Sequence, residues 1–189
     1  MAERQGTEPT GAGSMQMTRS RIITVIVVAL VVAIIVFLVA RGGNDSDSKA
    51  TPEVSSQKDL VELQEKLGRP VYWAGPRSGN TYELTQTKDD SIYVRYLPPG
   101  TSLGDPRPAF LTVATYPLAN GYARLVAAAK KEGGKLRKRR DGGIVVVTRG
   151  RPASAYLAYP GKGFQVEVYD PDPGRAVKLA LSARIRPVR

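Results

Sequence analysis

TYELTQTKDDSIYVRYL, running from Thr81 to Leu97, carries two amphipathic strands and the turn between them. In the first, Thr81 to Gln86, Tyr82 and Leu84 alternate with Glu83 and Thr85; in the second, Ser91 to Leu97, Ile92, Val94 and Tyr96 alternate with Tyr93 and Arg95. Side chains of an extended chain point by turns to opposite faces, so each segment asks for one buried face. Lys88-Asp89-Asp90 between them reads as a hairpin turn, and strands joined so closely pair antiparallel.

Outward from this hairpin the same reading gives the other elements. Upstream, Ser56 with Asp59 makes a capping-box pair, Leu60, Leu63 and Leu67 share a helix face, and Gly68 followed by Pro70 stops the helix. Val71 to Trp73 is a short strand. Downstream, Pro98 to Pro108 is a loop that no sheet interior tolerates, and Phe110 to Tyr116 is a strand. Asn120 is expected to cap a helix through Lys131, with Leu125 and Val126 facing inward. Three more strands follow at Ile144 to Arg149, Ala153 to Tyr159 and Phe164 to Tyr169, and Asp172 with Pro173 opens a last helix. Short connections favour an antiparallel sheet of about six or seven strands with the helices on one face, an α+β domain over residues 56–189.

A different physics governs the front of the chain. Ile22 to Ala40 reads IITVIVVALVVAIIVFLVA, with Thr24 its one polar member. As a helix it is roughly 28 Å long, which matches a hydrocarbon core of about 30 Å. The length exceeds the apolar stretch of a cleaved signal peptide, and Leu38-Val39-Ala40 lacks a small residue at the minus-three position, so an uncleaved anchor is expected. Arg19 and Arg21 precede the run and only Arg41 follows closely, a bias that places residues 1–21, read as a disordered tail, in the cytoplasm and the domain outside. Residues 41–55 read as a flexible linker with a reach of about 20 Å.

Composition removes chemistries. Among 189 residues there is no Cys and no His, which removes disulfides, thiolate metal sites, thiol nucleophiles and the commonest general base and metal ligand. The formal charge is +11, nearly all of it after the apolar run, so anionic partners are expected. No catalytic residue, cofactor or metal is implied.

Pro70-Val71-Tyr72-Trp73-Ala74-Gly75-Pro76, the hairpin quoted above, and Tyr159-Pro160 with Val166 to Pro171 resemble membrane-anchored proteins of actinobacteria over most of the domain. That group has no assigned activity, so the resemblance implies a place in the cell envelope and nothing catalytic. The element order is also similar to the PsbP-type α+β sandwich, an analogy of topology from which no function follows.

The most unusual local feature is the basic run Lys130, Lys131, Lys135, Arg137, Lys138, Arg139 and Arg140, opposed by Glu132 and Asp141. Placed at a helix end and the turn after it, these cations complement the helix dipole and stay solvated; they equally offer an anion-binding lip for anionic lipid or an acidic wall polymer. Nucleic acid would need aromatic rings interleaved with the cations, and they are not evident here. Tyr72, Trp73, Tyr82, Tyr93 and Tyr96 could line a sugar-binding face, or simply pack as strand residues. Asp170-Pro171-Asp172 supplies too few oxygens for Ca²⁺, and Ser46-x-x-Lys49 matches an acyl-enzyme pattern by letter alone. The leading expectation is a membrane-tethered extracytoplasmic domain that binds an anionic envelope component or another envelope protein; the alternative is a hydrolase of envelope material using carboxylates such as Glu83 with Asp170.

Overall fold

The computed structural model describes residues 50–189. The apolar run at 22–40, the tail before it and the linker up to residue 49 lie outside the described residues. Among the described residues, no helix is long and apolar enough to cross a membrane.

In chain order the elements are β1 (Glu53–Ser55), α1 (Gln57–Leu67), β2 (Tyr72–Trp73), β3 (Thr81–Gln86), β4 (Ile92–Leu97), β5 (Thr112–Pro117), α2 (Gly121–Lys131), β6 (Lys135–Lys138), β7 (Ile144–Val147), β8 (Ser154–Ala158), β9 (Phe164–Tyr169), α3 (Pro173–Leu181) and β10 (Arg186–Pro187). Eight strands form one antiparallel sheet in the order β1-β3-β4-β5-β9-β8-β7-β6. It consists of two meanders that meet where β5 pairs with β9, Thr112 opposite Tyr169 and Pro117 opposite Phe164. β2 and β10 form a separate two-stranded ribbon.

The hairpin of residues 81–97 forms as its pattern demands, with Leu84 opposite Val94 and Glu83 opposite Arg95. Leu84, Val94 and Tyr96 join the main core, together with Val113, Val145, Leu157, Val166 and Val168 from neighbouring strands. That face is covered by α1 through Leu60, by α3 through Ala176, Leu179 and Ala180, and by Tyr72 and Trp73 of the ribbon. The amide of Tyr72 donates to Thr115 Oγ1 at 2.9 Å, and that of Ala74 to the Tyr96 hydroxyl at 2.7 Å, which pins the ribbon to the sheet.

The helices do not share one face. Ile144, Val146, Tyr156 and Ala158 alternate with the core residues Val145 and Leu157, so they point to the other side, where Leu125 and Ala129 of α2 cover them. β7 and β8 are covered on both faces, and this is why Ile144 to Val147 and Ala155 to Ala158 do not alternate between apolar and polar residues. The sheet is also wider than the expected six or seven strands. β1 lies in the stretch read as linker, and β6 in the stretch read as the turn after α2; both are edge strands of three or four residues without an apolar face to announce them.

Helix ends follow side-chain chemistry, with one exception. At α1, Ser56 Oγ accepts from the Asp59 amide at 3.2 Å while Asp59 Oδ2 accepts from the Ser56 amide at 2.7 Å, and Gly68 closes the helix at φ 60°. At α3, Asp172 Oδ1 accepts from the amides of Gly174 at 2.9 Å and Arg175 at 3.3 Å. Asn120 does not cap α2: it takes φ 57° and its side chain makes no capping bond. A left-handed residue is needed there to turn the chain out of β5, and Asn tolerates that conformation better than most residues.

Candidate functional site

The basic run straddles the exit from α2 and the free edge of the sheet. α2 ends with Gly133 at φ 61° and the Gly134 amide donating to Ala129 O at 2.7 Å, a six-to-one closure that needs glycine at the left-handed position. A Cβ on Gly134 would lie 3.1 Å from both Ala129 Cα and Val147 O. The two glycines thus let the chain fold tightly from the helix into β6, which brings Lys130 and Lys131 to one end of the edge strand.

Within β6, Lys135 lies opposite Val147 and Arg137 opposite Val145; Leu136 and Lys138 lie opposite Val146 and Ile144. Period two therefore divides the cations. Lys135 and Arg137 stand on the face that carries α1 and α3, and Lys138 on the face that carries α2. All four side chains of β6 are exposed, Leu136 at 40%.

Arg139 leaves the group. Its side chain is 5% exposed and turns inward, donating to the carbonyls of Ala180 in the last turn of α3 and, in the chain beyond it, of Ser182 at 2.8 Å and of Ile185 at 3.2 Å. Its Nε and Nη2 fork onto Asp141 at 2.8 to 3.1 Å. That guanidinium holds the Asp141 carboxyl down at about 2, against the opposing effect of burial, and the Tyr159 hydroxyl donating at 2.9 Å adds to the lowering. Arg139 is a brace for the end of α3, where a cation satisfies carbonyls that the helix cannot. Arg140 stays exposed beside a hollow of about 470 Å³ lined by Lys138, Asp141, Leu181, Ser182 and Ala183.

One cation that the sequence reading passed over joins the edge. Arg149, in the turn after β7, lies across Gly133, where a Cβ would meet its Nε at 3.5 Å. With Lys135 and Arg137 it lines a cleft of about 500 Å³ between β6 and α3, floored by Val145, Val147 and Val177. Nothing in the sequence ties Arg149 to the run, since the link is the β6–β7 pairing. Lys130, Lys131, Lys135, Arg137, Lys138, Arg140 and Arg149 make no ion pair among the described residues, in contrast to Arg95, Arg107, Arg139 and Arg175.

The other candidates are placed differently. Glu83 and Asp170 do not meet: β4 and β5 lie between their strands, a separation of about 14 Å at the usual strand spacing, beyond the reach of a paired-carboxylate hydrolase. Each already has a structural task. Glu83 binds Arg95 at 2.6 Å and the Gly104 amide at 2.6 Å, which pins the loop after β4. Asp170 binds Arg175 at 3.0 Å and the Asp172 amide at 2.9 Å. Trp73 and Tyr96 are core residues that pack edge to face with half-buried Tyr82 at 5.9 and 5.3 Å, Tyr72 is buried against Phe164 at 5.6 Å, and Tyr93 points to the opposite side of the sheet, so the five aromatic residues make no sugar-binding face. Glu167 is fully buried opposite Tyr156, and burial pushes its carboxyl up against the opposing influence of Ser154, Arg151 and Tyr156. No group of three or more acids among the described residues could hold a metal ion.

Comparison with family models, curated proteins and solved structures yields no match. The unpaired cations along β6 and its flanks are thus the feature from which a function can be argued.

Proposed function

We propose that the chain is a single-pass membrane protein whose extracytoplasmic domain binds anionic envelope components, lipid head groups or an acidic wall polymer, through the basic edge of its sheet. The observation that carries the reading is the gathering of seven cations, without ion-pair partners among the described residues, at the end of α2, along β6, and in the turns after β6 and β7. Unpaired cations on one edge repel each other, and a polyanion relieves that repulsion while releasing counterions. The apolar run Ile22 to Ala40, the bias of Arg19 and Arg21, and the resemblance to membrane-anchored actinobacterial proteins support the tethered, exported arrangement. Charged side chains on an edge strand also keep it from pairing with another sheet, a role compatible with anion binding.

Full-length protein in zwitterionic nanodiscs is mixed with vesicles containing anionic lipid and sedimented at about 0.05 and 0.5 M salt. Binding at low salt and release at high salt are expected. Replacing Lys135, Arg137, Lys138 and Arg140 together by Gln is expected to weaken binding by a factor of about 10² to 10³, at roughly 1 kcal/mol per near-surface cation. Salt-insensitive sedimentation, or a variant that sediments like the parent, would overturn the reading. Protease added to wall-stripped cells is expected to remove a C-terminal epitope, and a protected epitope would reverse the orientation.

A further inference from the structure

Between β6 and α3 lies the cleft of about 500 Å³, within the range of small-ligand sites, about 300 to 1,000 Å³. Its composition is lopsided. Val145, Val147, Val177, Pro152 and Pro173 make an apolar floor and end walls, while Lys135, Arg137 and Arg149 are its charged lining residues. Among the described residues no acid lines it, and none of the three cations has an ion-pair partner.

A bare inorganic anion fits this geometry poorly. The start of α3 faces the cleft with Pro173, which has no N–H, and the next amides, Gly174 and Arg175, already donate to Asp172 Oδ1. Backbone donors of the kind that hold free phosphate at helix starts are therefore used up, and the Asp172 carboxylate stands nearby. What remains is an apolar surface bordered by flexible cations. Thr148, another lining residue, keeps a buried hydroxyl without a partner, a polar group left over at the wall.

We infer that this cleft holds one anionic lipid molecule, its phosphate or carboxylate head between Lys135, Arg137 and Arg149 and the first part of its alkyl chain on Val145, Val147 and Val177. The inference rests on the anion-binding reading of the edge and adds a discrete site to it. Two complementary recognitions act there: charge at the rim and apolar contact on the floor, so neither an anion without a chain nor a chain without a charge satisfies both. Arg149 lies beside Gly133, on one side of the head-group site.

The test uses full-length protein in zwitterionic nanodiscs with valine-methyl NMR, titrated with octyl phosphate, inorganic phosphate, octyl glucoside and an acidic peptide. Saturable movement of the Val145, Val147 and Val177 signals with octyl phosphate alone is expected. Arg149→Gln with Lys135→Gln should weaken that binding about tenfold or more. Val177→Trp, which fills the floor, should abolish it and leave a weaker, still salt-sensitive vesicle sedimentation through Lys130, Lys131, Lys138 and Arg140, which lie outside the cleft. Inorganic phosphate acting as well as octyl phosphate would make the cleft a plain anion site, octyl glucoside acting as well would remove the role of charge, and movement with the peptide alone would assign the edge to a protein strand; each overturns the inference. If octyl phosphate moves nothing while vesicle sedimentation stays salt-sensitive, the cleft inference fails and the basic edge stands. Loss of both removes the two together.

Discussion

Replacing Arg139 by Ala separates the structural member of the basic run from the rest. The guanidinium gives three hydrogen bonds to the carbonyls of Ala180, Ser182 and Ile185 and forks onto Asp141. Each carbonyl bond is worth about 1 kcal/mol net, more where the donor is charged. The adjoining hollow lets water reach some of the abandoned acceptors, so the full penalty of burying them dry does not apply. Asp141 is 45% exposed, and its share of the ion pair is therefore the roughly 0 to 1 kcal/mol of a surface bridge. The loss comes to about 3 kcal/mol, which at a urea dependence of about 1 to 3 kcal/mol per molar lowers the midpoint by about 1 to 3 M. Arg140→Ala, next in sequence but exposed, is expected to change stability by no more than about 0.5 kcal/mol. Trp73, the single tryptophan, is 1% exposed and reports unfolding by its emission in full-length protein held in a nonionic detergent. Equal shifts for the two variants, or a loss below about 1 kcal/mol for Arg139→Ala, would refute the brace.

The Asp141 carboxyl sits at about 2 in the folded chain and near 3.9 when free. Its contribution is therefore complete above about pH 4 and disappears as the pH falls through about 2; the difference in urea midpoint between the parent and Asp141→Asn should shrink over that window, and a constant difference would contradict the assignment. Glu83→Ala strips the partner from Arg95, whose side chain is 14% exposed, and releases the Gly104 amide. A cost of about 3 to 5 kcal/mol is expected, along with faster proteolysis in the loop after β4; a near-neutral variant would show that the pair is dispensable.

How far the sequence reveals this molecule depends on how local each signal is. The capping pair Ser56 and Asp59, the Asp172-Pro173 helix start and the hairpin of residues 81–97 are set by residues within a few positions of one another, and all form as read. The two-sided burial of β7 and β8 is less local. Ile144 to Val147 is apolar throughout, which tells that both faces are covered but not which helix covers which. β6 is harder still, because Lys-Leu-Arg-Lys on a sheet edge has the same letters as a solvated turn. Arg139 cannot be told from Arg140 before the end of α3 is placed beside it, and Arg149 enters only through strand pairing. The charge of the run is legible, therefore, while its division between an inward-turned Arg139 and exposed edge cations is tertiary.

The seam at which β5 meets β9 has a bearing on how the domain is made. When the first meander leaves the ribosome, Thr112 to Pro117 presents a bare strand border whose partner, Phe164 to Tyr169, has yet to be synthesised. Such distant pairings form slowly, and an open border invites association with other chains in the meantime. A translation product stopped before Phe164 would keep that border permanently open, and aggregation rather than a half-folded soluble intermediate is its expected fate.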